Sequence, residues 1–335
     1  MNPSIQSIAK QLMVSPKGLL AADESPKTSE KRFSPLGIPS TAEKRREFRQ
    51  MLFSTPDIEE YISGVILHDE TIKQKADSGE TFASYLRSKG IIPGIKVDGG
   101  LVDFDNFDGE TITEGLDGLA SRLHEYYEMG ARFTKWRAAF VIDESKRLPS
   151  LGAIHANLHQ MARYASIAQA AQMVPIVEPE VLYDGTHSIK SASDTTSQII
   201  RVLFELLKAY RVDLSGVILK TSMVLAGKNS PTQSTPEEVA NSTLSMLDQR
   251  VPKEVAGIVF LSGGQSTEQA RDNLEAIGSD SKDHSWPITF SFSRAVQDNS
   301  LATWQGKSEN ISAAQNEFIK AVRDDSLADR GKFKK

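Results

Sequence analysis

Eight short apolar segments, each followed by a segment with helical periodicity, constrain the fold of this 335-residue chain more than any other feature of its sequence. Successive segments end between 29 and 45 residues apart, so each gap has room for a crossover helix, which predicts parallel strands. The predicted strands are Gly18–Asp23, Tyr61–His68, Ile92–Val97, Arg132–Phe140, Val174–Val181, Gly216–Met223, Gly257–Gly264 and Pro287–Arg294.

The segments between these strands carry helix signals. The first has a capping-box pattern, with Ser40 as the N-cap and Glu43 three positions later. The predicted helices are Ser40–Phe53, Asp117–Met129, Ile154–Met173, Ser193–Tyr210, Pro236–Leu247, Ser266–Ile277 and Ile311–Leu327. Eight such units predict an α/β fold, a (β/α)8 TIM barrel, with the N-terminal segment and the last helix as additions. A doubly wound open sheet is the alternative, but the first strand–helix turn lacks a GxGxxG motif.

Composition limits the domain count and the classes of partner. No linker rich in Gly, Ser or Pro divides the chain, so residues 1–335 are predicted to form a single domain, loosely held from about residue 327. A net charge of −5 without a basic cluster argues against nucleic-acid and anionic-lipid partners. The absence of cysteine excludes disulfides and thiolate metal sites, and no apolar run approaches the roughly 18 residues that span a bilayer. We therefore expect a cytoplasmic protein that binds neither nucleic acid nor membrane.

Charged residues lie at the predicted carboxyl ends of six strands, where barrels carry their active sites. They are Asp23, Lys96, Lys135, Arg137, Glu178, Glu180, Lys220 and Arg294. Any one of them can be explained by a salt bridge. Eight together need a polar ligand or a function, because an unpaired buried charge costs roughly several kcal/mol. Five cations among the eight predict a locally positive site and an anionic substrate.

Lys220 has the clearest chemical implication. It lies within the apolar run GVILKTSM, where desolvation and a neighbouring Lys135 would disfavour its ammonium form and leave an amine that attacks a carbonyl. This is Schiff-base chemistry. Glu178 and Glu180 on the adjoining strand are candidates for the proton transfers, and Asp23 is a candidate base for a substrate hydroxyl.

Two loops predict phosphate binding. Ser262-Gly263-Gly264 follows the seventh strand and Ser291–Arg294 closes the eighth, the positions at which barrels commonly bind phosphate. The alternative for the glycines is a turn that merely requires them. A second anion site is predicted on the opposite side of the barrel mouth. Its candidate residues are Lys96, the hydroxyls of residues 25–28, Lys31 and Arg32.

Histidine provides the alternative of a metal site. His155 and His159 have the i, i+4 spacing of zinc ligands, but Ala-Asn-Leu between them departs from HExxH and favours a pair on a helix surface. His68 ends the second strand, and no second histidine ends another. Metal catalysis is therefore disfavoured.

The motifs together resemble one family along nearly the whole chain. They are GLLAADES, SGVILHDET, QKADSGETF, GIKVDGG, GETITEGLDGL, KWR, ARYASI, VPIVEPE, LSGGQS and KSENISAAQNEF. In these segments the sequence resembles class I, Schiff-base fructose-1,6-bisphosphate aldolase. The resemblance implies a (β/α)8 barrel, a homotetramer, and reversible cleavage of fructose 1,6-bisphosphate to dihydroxyacetone phosphate and glyceraldehyde 3-phosphate. It also implies that neither a metal nor another cofactor is needed.

The resemblance also implies a role for each matched residue. Lys220 would form the imine, Glu178 would be the acid and base for carbinolamine dehydration, and Lys135 and Glu180 would be its supporting charges. Asp23 would take the C4 hydroxyl proton as the C3–C4 bond breaks. The C1 phosphate would be held by Ser262, Gly263 and Arg294. The far end of the substrate would be held by Ser25, Arg32, Lys96 and Arg137.

Four segments depart from the family's usual pattern. Around the imine lysine, E-G-x-x-L-K-P becomes Ser215–Thr221, with the Glu and the Pro replaced. T-G-S after ADES becomes Pro26-Lys27-Thr28, and S-Y-G-R becomes Ser291-Phe292-Ser293-Arg294. The animal enzymes end in a tyrosine that assists proton exchange at C3, whereas this chain ends in Phe333-Lys334-Lys335. Three hypotheses stay open at this point: this aldolase, another Schiff-base enzyme such as a transaldolase, and an inactive aldolase-like binding protein.

Overall fold

The structure, a computed structural model, describes residues 3–280 and 284–333. Ten strands are described in this part of the chain: β1 (Gly18–Ala22), β2 (Ile62–Leu67), β3 (Ile92–Lys96), β4 (Gly100–Asp103), β5 (Thr111–Glu114), β6 (Phe133–Phe140), β7 (Val174–Val181), β8 (Ile218–Thr221), β9 (Gly257–Phe260) and β10 (Ile288–Phe292). Eight of them form a closed parallel barrel, and β4 and β5 lie outside it. Each barrel strand pairs with the barrel strand before it in the chain, so that β6 pairs with β3, and β10 pairs with β1 to close the barrel. The predicted (β/α)8 barrel is confirmed.

Helices alternate with the barrel strands. The described helices are α1 (Ile5–Leu12), α2 (Pro26–Phe33), α3 (Ala42–Phe53), α4 (Asp69–Lys73), α5 (Phe82–Ser88), α6 (Leu119–Glu128), α7 (Leu151–Ala170), α8 (Ile189–Ala209), α9 (Pro236–Arg250), α10 (Thr267–Asp280), α11 (Arg294–Trp304) and α12 (Ile311–Ala328). All seven predicted helices correspond to observed ones, with ends displaced by a few residues. The N-cap of the first lies one residue later than predicted, because Thr41 and not Ser40 accepts the Lys44 N–H.

Each predicted strand contains an observed strand, and the differences lie mainly at the carboxyl ends. β9 ends at Phe260, four residues before the predicted end, since Gly263 and Gly264 turn the chain with φ of +58° and +94°. The sequence analysis did not predict the antiparallel hairpin of β4 and β5, whose strands GLVD and TITE lack an apolar run. It also left α1, α2, α4, α5 and α11 unassigned.

The interior of the barrel has an apolar lower layer at the amino-terminal end of the strands. The side chains of α1 pack into this end and close it. The buried apolar residues of this cluster are Ile5, Ile8, Ala9, Leu12, Met13, Leu19, Ala21, Ile66, Phe133, Val174, Ile176, Ile218 and Val259. Burial of this layer stabilises the barrel at the end remote from the charged residues.

The end of the chain packs against the outside of the barrel. Ala328 and Asp329 are buried, and the Phe333 N–H donates to Glu275 Oε2 at 2.9 Å. These contacts run against the prediction of a loosely held tail from about residue 327, whose last two positions lie outside the described residues. Among the described helices, none combines the length and the apolar character needed to cross a membrane.

Candidate active site

Four buried charged side chains form a continuous chain across the carboxyl ends of β1, β6, β7 and β8. Lys220 Nζ lies 3.2 Å from Glu178 Oε1, and Lys135 Nζ lies 3.1 Å from Glu178 Oε2 and 2.7 Å from Asp23 Oδ2. The Lys220 side chain is 4% exposed and that of Asp23 is 11% exposed. Closure of the parallel barrel brings these residues together, since they lie toward the same end of its strands.

The electrostatics of this chain favour ionised carboxylates. Burial would raise the pKa of Asp23, but the charges of Lys135 and Lys220 outweigh it and hold that pKa well below its ordinary value. The pKa of Glu178 is also lowered, because Lys135, Lys220 and Arg137 outweigh its burial. Burial would lower the pKa of Lys135, but Asp23 and Glu178 raise it. The charges therefore compensate one another.

The sequence predicts that Lys135 and Lys220 lie side by side as like charges. The structure arranges the two lysines differently. Glu178 lies between them and offers one carboxylate oxygen to Lys135 and the other to Lys220. The carboxylate thus lies between the two lysine side chains and is within proton-transfer distance of Lys220 Nζ. The predominance of free amine at Lys220 stays a prediction.

Glu180 pairs with Arg137. Its Oε2 accepts from Arg137 Nε at 2.5 Å, and no bond to Lys135 or Lys220 is found among the described residues. Burial would lower the pKa of Arg137, but the adjacent Glu180 raises it. Glu180 therefore fixes the guanidinium of Arg137 at the rim of the barrel.

Asp98 connects two of the cations predicted to bind the far end of the substrate. Its Oδ1 forms a salt bridge with Lys96 and accepts the Gly100 N–H at 3.1 Å, and its Oδ2 accepts the backbone N–H of Arg137 at 3.3 Å. The structure thus brings Lys96 and Arg137 together at the ends of β3 and β6. The sequence analysis missed Asp98, although its position two residues after Lys96 at a strand end was a usable signal.

The predicted phosphate loops lie side by side. Gly263 and Gly264 adopt left-handed backbone conformations after β9, and Arg294 Nη2 lies 3.8 Å from the position of a Cβ on Gly264. Tyr183 Cδ1 lies 3.9 Å from the same position. Arg294 is exposed and forms no ion pair in the described part of the chain. The loop after β9 and the start of α11 therefore present glycine backbone and one available guanidinium.

Arg32, predicted to act with Lys96 and Arg137, makes its side-chain contacts with other residues. Its guanidinium donates to Glu24 Oε1 at 2.5 Å, to Gln297 Oε1 at 2.9 Å and to Asp298 Oδ1 at 2.9 Å. These partners lie at the end of β1 and in the first turns of α11, so Arg32 is on the side of Arg294. The sequence analysis missed Glu24, although it directly follows Asp23.

The remaining predicted residues have local structural partners. Ser25 is the N-cap of α2, and its Oγ accepts the Thr28 N–H at 3.3 Å. His68 is the N-cap of α4, and its Nδ1 accepts the Glu70 N–H at 3.2 Å, while burial and Lys96 lower its pKa. The ring centroids of His155 and His159 lie 6.4 Å apart on α7. Within residues 3–280 and 284–333, no three His, Asp or Glu side chains are grouped so as to hold a metal ion.

Comparison with known proteins agrees with this geometry. A family model described as fructose-bisphosphate aldolase class-I matches residues 4–335. A Xanthomonas campestris pv. campestris protein named probable fructose-bisphosphate aldolase class 1 is 46% identical over 335 residues, 99% of this chain and 99% of that protein. A Drosophila melanogaster fructose-bisphosphate aldolase is 45% identical over 330 residues, which are 98% of this chain and 91% of that protein.

A solved structure of fructose-bisphosphate aldolase from Plasmodium falciparum, in complex with TRAP and a small molecule inhibitor, is also similar. It superimposes with a TM-score of 0.97 at 44% sequence identity, and the match covers 99% of this chain and 95% of that one. At this identity and coverage, the likeness extends from the barrel strands to the loops that surround the charged residues.

Proposed function

Because the chain belongs to the class I fructose-bisphosphate aldolase family, we propose that Lys220 is the lysine that forms its Schiff base. The enzyme is a carbon–carbon lyase of the metal-independent class, and it cleaves fructose 1,6-bisphosphate reversibly to dihydroxyacetone phosphate and glyceraldehyde 3-phosphate through a lysine Schiff base. Of the three hypotheses raised by the sequence, the first therefore holds. The contact between Lys220 Nζ and Glu178 Oε1 at 3.2 Å is the observation that carries the assignment.

The first half of the proposed mechanism uses Glu178. Glu178, which its lowered pKa keeps ionised, takes a proton from Lys220 Nζ, and the resulting amine attacks the C2 carbonyl. The surplus proton on the attacking nitrogen moves to the C2 alkoxide, which gives the carbinolamine. The protonated Glu178 then gives its own proton to the C2 hydroxyl, which leaves as water. A protonated imine results. Lys135, 3.1 Å from the other carboxylate oxygen, stabilises the ionised form of Glu178 once that proton has been given up.

The second half uses Asp23. Its carboxylate takes the proton of the C4 hydroxyl, the C3–C4 bond breaks, and the bonding electrons move into the imine to give an enamine. The lowered pKa of Asp23 keeps it ionised in the free enzyme but also makes it a weak base, because Lys135 donates to it at 2.7 Å. We infer that bound substrate draws Lys135 from Asp23 toward Glu178, which restores basicity to Asp23 at the step that requires it.

In this proposal, the two phosphate groups of the substrate bind to separate sets of residues. The C1 phosphate is assigned to Ser262, Gly263 and Arg294, and the far phosphate to Lys96 and Arg137, which Asp98 and Glu180 hold in place. The Arg32 side chain is assigned to the C1 side, since its partners lie beside α11. Ser25, the N-cap of α2, stays assigned to the far end of the substrate on the family resemblance.

Borohydride trapping tests the central assignment. The protein is incubated with dihydroxyacetone phosphate in the presence of a chelator, reduced, digested and analysed by mass spectrometry. We expect a substrate-dependent adduct on the peptide that contains Lys220, and none in Lys220→Met. Lys96→Met is the matched control, since it removes a lysine at the same end of the barrel and should leave the Lys220 adduct in place. Cleavage activity without an adduct on Lys220 would refute the assignment.

We also propose that the chain folds as one domain, assembles as a homotetramer and resides in the cytoplasm. The family resemblance supports the tetramer, and a cytosolic aldolase from Arabidopsis thaliana is 44% identical over 318 residues. Light scattering after size-exclusion chromatography should give about four times the 36.8 kDa of one chain. A mass of 36.8 kDa at working concentration would contradict the tetramer, and two separate unfolding transitions would contradict the single domain.

A further inference from the structure

The turn between β10 and α11 contains a serine that does not cap its helix. Ser293 occupies the N-cap position of α11, but its side chain makes no capping hydrogen bond. Its Oγ instead donates to Glu24 Oε1 at 2.6 Å. Ser150 and Ser188, at the same position of α7 and α8, accept a backbone N–H in the usual way. The Ser293 Oγ also accepts from Gln297 Nε2 at 3.5 Å, and its proton is used for the bond to Glu24 outside the helix.

Glu24 is a buried carboxylate that gathers three donors. Besides Ser293, it accepts from Arg32 at 2.5 Å and forms a salt bridge with Arg49, while its own side chain is 7% exposed. Burial would raise the pKa of Glu24, but Arg49, Arg32 and the hydroxyl of Ser293 lower it. Glu24 thus stays charged and links the end of β1 to α2, to α3 and to the turn before α11.

Gln297 provides a second link between the same elements. Its Nε2 donates to the Ala21 carbonyl at 2.7 Å, and its Oε1 accepts from Arg32 Nη1 at 2.9 Å. The Gln297 side chain is fully buried. Because Ser293 and Gln297 lie one helical turn apart, the first turn of α11 is fastened to β1 at two points.

These contacts leave particular donors unused. The guanidinium of Arg294 follows Ser293 and lies beside Gly264 without an ion pair in the described residues. The first turn of α11 receives no side-chain cap: its Val296 and Gln297 N–H groups donate to the Ser293 carbonyl, and the Arg294 and Ala295 N–H groups lie at the helix N-terminus. A phosphate beside Arg294 would meet both the guanidinium and the helix N-terminus.

We propose that Ser293 is a positioning residue for the C1 phosphate: by donating to Glu24 it fixes the turn that carries Arg294 and leaves the N-terminus of α11 open to the anion. The inference rests on the phosphate site proposed above. A glycine, which the family resemblance places at this position, has no side chain to form the contact. The hydrogen bond to Glu24 is therefore specific to chains with a hydroxyl at this position.

Steady-state kinetics of Ser293→Ala test the proposal. We expect the KM for fructose 1,6-bisphosphate and the inhibition constant of inorganic phosphate each to rise about 3- to 10-fold, the size expected for one lost hydrogen bond, while kcat changes by less than about 2-fold. Ser326→Ala is the matched control, because it removes a buried hydroxyl that donates to the Pro16 carbonyl at 2.7 Å at the opposite end of the barrel. It should leave all three constants unchanged.

A double-mutant cycle separates positioning from a general loss of structure. In a Glu24→Gln background, Ser293→Ala should add less to the KM than it does alone, since the partner of the hydroxyl is already altered. Full additivity, or an unchanged KM and phosphate inhibition in Ser293→Ala, would overturn the proposal. Arg294→Ala tests the phosphate site itself. If that variant also leaves phosphate inhibition unchanged, the site assignment fails, whereas an effect in Arg294→Ala alone refutes only the role of Ser293.

Discussion

The two ends of the barrel are built from the same strands and have opposite chemistry. Toward the amino-terminal end, inward side chains are apolar and pack against α1, and two residues further along the same strands they are charged. The pairs are Phe133 and Lys135 on β6, Ile176 and Glu178 on β7, and Ile218 and Lys220 on β8. The boundary between stabilising core and reactive site is thus one step of the strand repeat.

Carboxylates also differ between the two ends. Near the active site, cations lower the pKa of Asp23, Glu24 and Glu178 in spite of burial. On α12, which reaches the amino-terminal end of the barrel, and at its C-cap, burial raises the pKa of Asp325 and of Asp329 to about 7. The active site therefore has enough positive charge to keep its carboxylates ionised, whereas the other end holds carboxyl groups that favour the protonated form.

This difference indicates that one end of the barrel carries the reaction and the other end supplies the stability. A buried chain of two ammonium groups and two carboxylates contributes little net stability, because desolvation offsets much of the attraction. The apolar layer below it can supply the missing stability without taking part in the reaction. We call Asp23, Lys135, Glu178 and Lys220 the upper layer. We expect substitutions in this layer to affect activity far more than stability, and substitutions in the apolar lower layer to affect stability far more than activity.

Lys220→Met should give the largest effect, on activity alone. The thioether keeps the length of the side chain but cannot form an imine, so kcat/KM should fall by about 10³-fold or more. Thermal unfolding should change little, because Glu178 keeps its contact with Lys135 at 3.1 Å. Activity is measured by coupled assay of triose phosphate release. A severe loss of thermal stability together with the activity would contradict the separation of the two layers.

Leu12→Ala should give the opposite pattern. Leu12 lies on α1, is fully buried and closes the lower end of the barrel. Its truncation should lower the free energy of unfolding by about 2–5 kcal/mol, measured by urea denaturation, with kcat within about 2-fold of the wild type. Val14→Ala is the control on an exposed neighbouring side chain and should be close to neutral. A large fall in kcat for Leu12→Ala would show that the lower layer also sets the active-site geometry.

Most of the upper layer could be predicted from the sequence, because it depends on strand periodicity. The positions of Asp23, Lys135, Glu178 and Lys220 follow from apolar runs that end in a charge, and the barrel brings such ends together. The pairing within the layer could not be predicted in the same way. Glu180 turns to Arg137 because side-chain rotamers, not periodicity, decide which of several nearby cations a carboxylate contacts.

Contacts between loops were the least predictable. Arg32 joins Glu24, Gln297 and Asp298, which bring together residues up to 266 positions apart in sequence. Such a contact depends on the closure of β10 onto β1, and no local pattern encodes it. The hairpin of β4 and β5 was missed for a related reason: its side chains are largely polar, so it lacks the apolar signal that marks a buried strand.

Asp329→Asn should produce an intermediate effect that depends on pH. The folded-state pKa of about 7 lies above the ordinary value of 3.8, so the folded protein binds more protons than the unfolded chain between these values. The contribution of Asp329 to the free energy of unfolding is fully present below pH 4 and is lost as the pH rises to 7. The variant should therefore be more stable than the wild type at pH 8, by on the order of 1 to 3 kcal/mol, and similar at pH 4.

The same experiment compares the two ends. Asp23 and Glu178 have lowered folded-state pKa values, so their contribution is present above pH 4 and is lost only on further acidification. Scanning calorimetry from pH 3 to pH 8 should show the acid-side loss in both the wild type and Asp329→Asn, and a smaller loss toward neutral pH in Asp329→Asn than in the wild type, since Asp325 still contributes to it. Equal pH profiles for the two proteins would refute the contrast between the carboxylates.

Ile218→Val should give the smallest effect and the sharpest test of the boundary. Ile218 is fully buried in the lower layer, two residues before Lys220 on β8, and loses a single methyl group in this variant. The expected loss of stability is about 0.5–1.5 kcal/mol. If the layers are independent, kcat should stay within about 2-fold of the wild type, since valine keeps the β-branched shape that suits the strand and leaves the position of Lys220 unchanged. A fall in kcat of about 10-fold would require a shift of the Lys220 amine relative to Glu178, and the lower layer would then be part of the catalytic machinery.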